Sequence, residues 1–120
     1  MIEGFYFDSW HGGCLRRIVK VGENSYKVHG VYGNDDIVDI PKNVEYNAES
    51  SSKTHMYWHA SINVVQKKKN SLHLKVYFGG KLDKPRLTYD AVYDIDKRLI
   101  KWDDSNEWKK MYYHKKQFVC

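Results

Sequence analysis

"HMYWHASINV", His55–Val64, decides how the rest of this chain is read. Met56, Trp58, Ala60, Ile62 and Val64 alternate with His55, Tyr57, His59, Ser61 and Asn63. Successive side chains of a strand point to opposite faces, so the pattern describes a strand with one apolar and one polar side. On a helix, His55 and His59 would face one metal ion. On a strand they lie roughly 13 Å apart, at about 3.3 Å per residue, and one ion cannot bridge them. With His73 and Tyr77 they form a polar strip on the outer face of a sheet.

The same period recurs along the chain. Leu72, Leu74, Val76 and Phe78 alternate with His73, Lys75 and Tyr77. Leu87, Tyr89, Ala91 and Tyr93 alternate with Thr88, Asp90 and Val92, and Tyr26, Val28, Gly30 and Tyr32 with Lys27, His29 and Val31. Leu15, Arg17, Val19 and Val21 alternate less cleanly with Arg16, Ile18 and Lys20. No stretch of similar length shows a helical period. Turn-forming residues separate the runs, at 9–13, 22–24, 67–70, 79–85, 95–97 and 103–106. Eight strands are therefore predicted, over 3–8, 14–21, 25–32, 55–66, 71–78, 86–94, 98–102 and 107–113. Hairpin-length links favour sequential antiparallel pairing. The expected fold is all-β: one up-and-down meander of about eight strands closing into a small barrel, which removes the sheet edges. A two-sheet β-sandwich is the alternative. A long loop over about 33–54, with at most a short strand near 37–40, and a short basic tail over 114–120 complete one domain, 1–120.

Bulk composition agrees. The chain has 120 residues, 42% hydrophobic and 15% aromatic, enough for one core and too apolar for a disordered tail. Two cysteines, Cys14 and Cys120, make no disulfide framework and suit a reducing compartment. The first residues lack the basic and apolar regions of a secretory signal, and no run approaches the ~20 apolar residues of a membrane helix. An intracellular protein, neither secreted nor membrane-bound, is expected. The net charge of +5 permits nucleic acid or another acidic partner.

An up-and-down meander assigns every turn to an end. The end holding 9–13, called upper here, also receives loops 33–54, 79–85 and 103–106. Its charges are mostly acidic, among them Asp8, Asp35, Asp36, Asp39, Asp103, Asp104 and Glu107. The lower end collects Lys20, Lys67, Lys68, Lys69, Lys97, Arg98, Lys115 and Lys116. Trp10, His11, Tyr32, Trp58, Trp102, Asp103 and Trp108 all fall at the upper end. There they would line an aromatic, acidic mouth for one small ligand. The competing reading is that the indoles plug the barrel as core, because small barrels fill their own interiors.

The chemistry-bearing motifs are weak. "HGGC", His11–Cys14, has the spacing of half a zinc site, but no second half exists. Its glycines open a strand rather than a helix, so they suit a tight turn and not a phosphate cradle. "DDSN", Asp103–Asn106, is turn chemistry rather than a carboxylate pair. No catalytic residues, metal site or cofactor are predicted, so the chain is not expected to be an enzyme. "QKKKNS", Gln66–Ser71, and "HKKQ", His114–Gln117, together suit phosphate contacts without sequence readout.

The N-terminal "GFYF", followed by antiparallel strands only, resembles the calycin barrels, the lipocalins and avidins. Neither a lipocalin Gly-x-Trp nor a biotin-site pattern is present, so no ligand residues carry over. "FYFDSWHGGCLRRI", "YKVHGVYGNDD" and "IKWDDSNEWKK" resemble small uncharacterised proteins of large DNA viruses of protists, of the marseillevirus kind. That resemblance implies a viral product in host cytoplasm, nucleus or virion. The expected role is an interaction module whose basic end contacts nucleic acid non-specifically, or an acidic protein. A small-ligand barrel is the alternative. A homodimer through the Tyr- and His-rich outer face is a further expectation.

Overall fold

The computed structural model describes residues 1–8, 15–31, 36–37, 57–80, 87–111 and 118–119. Its strands are β1 (Gly4–Asp8), β2 (Leu15–Gly22), β3 (Ser25–Val31), β4 (Asp36–Ile37), β5 (Tyr57–Lys67), β6 (Ser71–Gly80), β7 (Thr88–Asp94), β8 (Leu99–Trp102), β9 (Glu107–Met111) and β10 (Phe118–Val119). Eight of them form a closed barrel in the order β1-β2-β3-β5-β6-β7-β8-β9. The closing seam is antiparallel, with Phe5 opposite Met111 and Asp8 opposite Trp108. The meander is therefore an up-and-down barrel and not a sandwich. No helix among the described residues is long and apolar enough to cross a membrane.

The excursion after β3 holds a short strand, β4, beside the place expected for one, and the C-terminal tail contributes another, β10, that the sequence reading did not include. These pair antiparallel, Phe118 with Ile37 and Val119 with Asp36, in a separate two-stranded sheet. Phe118 and Val119 are thus paired with the excursion that follows β3. Two-residue strands carry no period-two signal, which is why the pairing is invisible in the sequence. Lys115 and Lys116 lie outside the described residues.

The inward faces follow the alternation on four strands. Tyr26 and Val28, Trp58 to Ile62, Leu72 to Phe78, and Tyr89 to Tyr93 bury every second side chain. On β2 the phase is the opposite of the one expected. Tyr6 is buried and pairs with Arg16, and Gly4 pairs with Ile18, so the even-numbered residues of β2 share its inward face. Arg16 and Ile18 are buried, while Val21 is 61% exposed. A one-residue change of phase exchanges the two faces of a strand, and Leu15–Val21 offers apolar residues on both. Val65 and Leu87 are among the other apolar residues that face solvent. Val65 follows Val64 at a bulge in β5, and Leu87 precedes the first residue of β7.

The lower end is closed by the residues before β1. Ile2 is fully buried. The Tyr6 hydroxyl donates to its carbonyl at 2.5 Å. Tyr93 and Lys110 donate to the Met1 carbonyl at 3.4 and 2.6 Å. Burial pushes the Tyr6 hydroxyl far above its ordinary value, and burial also raises Tyr26 and Tyr93. Lys110 is lowered, first by burial and then by the Arg98 charge.

The tyrosine shift gives a pH prediction. A raised folded-state value means that the native protein holds a proton the unfolded chain releases above about pH 10. The contribution of Tyr6 is complete below that pH. It then falls by about 1.4 kcal/mol per pH unit. Tyr6→Phe should cost about 1 kcal/mol at pH 7 through the lost hydrogen bond. Between pH 10 and 12 the variant should lose stability less steeply than the parent, read from urea midpoints. Parallel pH profiles would contradict this account.

Candidate functional site

At the upper end each barrel strand supplies one residue to an interior layer: Asp8, Arg16, Gly30, Trp58, Phe78, Tyr89, Trp102 and Trp108, all buried. The rings pack on one another. Phe78 lies 5.9 Å from Trp58, 5.3 Å from Tyr89 and 5.6 Å from Trp102, centroid to centroid, and Trp102 lies 4.7 Å from Trp108. The Arg16 guanidinium sits 4.9 Å from the Trp58 ring and 5.8 Å from Trp108, within cation–π range of both. Its Nη2 donates to Asp8 Oδ2 at 3.3 Å. Asp8 Oδ1 accepts from Asn106 Nδ2 at 2.9 Å. Arg16 and Asp8 are only 2% and 1% exposed.

This arrangement revises the expected mouth. Trp58, Trp102 and Trp108 are brought together, but as a packed stack inside the barrel. Asp8 is not a rim charge; it is the buried counter-ion of Arg16. Asp103 stands apart from the layer. It is exposed in the β8–β9 turn, where its carboxylate accepts the Asp90 amide at 3.0 Å. Its own amide donates to the Asp90 carbonyl at 3.0 Å. Trp10, His11, Tyr32 and Cys14 lie outside the described residues. Arg16 and Asn106, the polar centre of the layer, were not singled out from the sequence. The one signal was an arginine pair inside an apolar run, and only the register with β1 shows which of the two points inward. The layer also keeps the indole N–H groups of Trp102 and Trp108 buried with no acceptor among the described residues.

The lower end is a different surface. The end of β5 carries Lys67, the β5–β6 turn carries Lys68 and Lys69, and the β7–β8 turn carries Lys97. The Ile95 amide donates to the Asn70 carbonyl at 3.0 Å and joins the two turns. Lys20 is exposed near the end of β2. None of these five lysines has an ion-pair partner among the described residues. Elsewhere on the barrel, Lys75 pairs with Asp90 at 2.8 Å and holds that carboxyl below the usual carboxylate range. Arg98 departs from the expected patch. It is half-buried, and its charge acts on Lys110, Tyr93 and Tyr6, so it belongs to the closure of the lower end.

A cavity of about 320 Å³ opens at the same end, lined by Met1, Lys20, Glu23, Asn24, Tyr26, Val64, Lys67 and Leu72. The His/Tyr strip of the outer face is partly engaged: His73 lies 3.4 Å from Asp90, while Tyr77 is 52% exposed. Among the described residues no group of three His, Cys, Asp or Glu side chains is arranged to hold a metal ion.

Fold and site together define a small, closed antiparallel β-barrel with a buried aromatic layer inside its upper end and a lysine-bearing lower end. Comparison with known proteins finds no matching family model, no matching curated protein and no matching solved structure.

Proposed function

We propose that this chain is a non-enzymatic binding module whose lower end docks on nucleic acid through its phosphates. The observation that carries the reading is the set of five exposed lysines gathered at one end, with no ion-pair partner among the described residues. A folded protein gains little from placing like charges together; a polyanion compensates them and releases its counterions. Point charges on flexible stems contact phosphate without reading bases, so the binding is non-specific. The resemblance to proteins of large DNA viruses points to a viral genome as the partner.

The test is fluorescence anisotropy of a labelled DNA duplex between 50 and 200 mM salt. Affinity should fall steeply with salt, and Lys67→Ala/Lys68→Ala/Lys69→Ala should weaken it by roughly tenfold or more at low salt. The triple variant should also flatten the log–log salt slope by about three, at ~0.9 per phosphate contact. Binding that ignores salt, or that survives the triple substitution unchanged, would sink the proposal. Polyglutamate competing as well as DNA would move the partner to an acidic protein.

A second reading rests on the two buried indole N–H groups. An unpaired buried donor costs about 1–3 kcal/mol, and a small ligand with a hydrogen-bond acceptor would recover it. The layer would then take a carboxylate-bearing ligand rather than a cation. Titration with small carboxylic acids should change the intrinsic tryptophan emission; no response at millimolar concentration ends this reading.

A further inference from the structure

We propose that the cavity at the lower end receives a single nucleotide of an unpaired strand. This rests on the reading of that end as a nucleic-acid contact and names the form of nucleic acid it prefers. The cavity, about 320 Å³, lies at the small end of the range of pockets that enclose ligands, roughly 300–1,000 Å³. It therefore has room for one unit and not for a duplex end.

Its lining divides by chemistry. Lys20 and Lys67 stand at the wall without ion-pair partners among the described residues, and supply the phosphate contact. Val64, Leu72 and the Tyr26 ring give an apolar and aromatic surface for a base. The Asn24 amide, exposed in the β2–β3 turn, offers both a donor and an acceptor to a base edge. Lys67 ends β5 and adjoins the lysines of the β5–β6 turn, so the phosphate track of the outer surface runs directly into the cavity.

Bases in a duplex are stacked and paired and cannot enter; bases of a single strand are free to turn out onto an aromatic or apolar platform. The inference makes a prediction opposite to that of charge alone. A duplex has the higher charge density, and its counterion release per contact is larger, about 0.9 against 0.7. A surface that contacts phosphates only should favour the duplex. A surface that also seats a base should favour the single strand, by about tenfold for one base.

The experiment compares one labelled strand with its own duplex, binding to the full chain at 100 mM salt. The parent should bind the single strand about tenfold more tightly. Val64→Met extends into the cavity without changing charge or adding a stacking ring, and should reduce that preference while leaving duplex affinity unchanged. Lys20→Ala, at an exposed position, should lower single-strand affinity more than duplex affinity. Equal binding of both forms by the parent overturns this inference alone, whereas binding of neither overturns the parent reading as well. A folded Val64→Met that keeps the full preference also overturns it. Where that variant fails to fold, as seen by circular dichroism, Lys20→Ala decides: an equal loss on both forms overturns the inference.

Discussion

Asp8→Ala should lower the unfolding free energy by about 3–5 kcal/mol, the usual result of removing one partner from a buried ion pair. Asp8 Oδ2 is bonded to Arg16 Nη2, and the Arg16 side chain is 3% exposed and lies within cation–π range of the Trp58 and Trp108 rings. Without it, the buried Arg16 cation loses a counter-charge, and Asn106 Nδ2 loses its acceptor. Domains of this size are stable by about 5–15 kcal/mol, so the variant forfeits a large share of the total. Asp8→Asn should fall between, since the amide keeps an acceptor for Asn106 and loses the charge.

The informative control is the double variant Asp8→Leu/Arg16→Met. Replacing both members of a buried pair by apolar groups of similar volume is often neutral or stabilising, because neither charge then has to be desolvated. The double variant should therefore be markedly more stable than Asp8→Ala. Urea unfolding at pH 7 measures all three. A loss under 1 kcal/mol for Asp8→Ala would show that the pair is not the electrostatic centre of the layer.

The barrel was legible because four segments carry a clean alternation and most links between the strands are short. Period and link length are local properties, and local properties are what a sequence displays. The phase of β2 was not legible. Arg16 and Arg17 are chemically identical neighbours, and the choice between them is made by register with β1, through Tyr6 opposite Arg16. The same fact hid the centre of the upper layer. Asp8 and Asn106, almost the whole chain apart, meet only because β9 closes on β1. Lysine runs need no register to be seen, so Lys67–Lys69 and Lys97 could be named in advance. What the sequence withheld was the Ile95–Asn70 hydrogen bond that makes one surface of two turns, and the cavity beside it.

The second large effect is expected where β3 meets β5. Gly30 and Trp58 are Cα partners, and the indole folds across the glycine. A Cβ built on Gly30 would stand 2.3 Å from two carbons of that ring. Gly30 has no positive φ, so it is space and not backbone conformation that demands glycine here. The ring has little freedom to retreat, with Phe78 at 5.9 Å and the Arg16 guanidinium at 4.9 Å. Gly30→Ala should thus cost toward the upper part of the 1–3 kcal/mol range for overpacking. Trp58→Ala should cost about 3–5 kcal/mol, as large aromatic truncations in cores do. The two losses should not add. Once the indole is gone, the added methyl enters the space it leaves, and Gly30→Ala in the Trp58→Ala background should shift stability by less than about 0.5 kcal/mol. Thermal or urea unfolding of the four proteins gives the coupling directly. Additive losses would mean that the glycine is required by something other than the ring of Trp58.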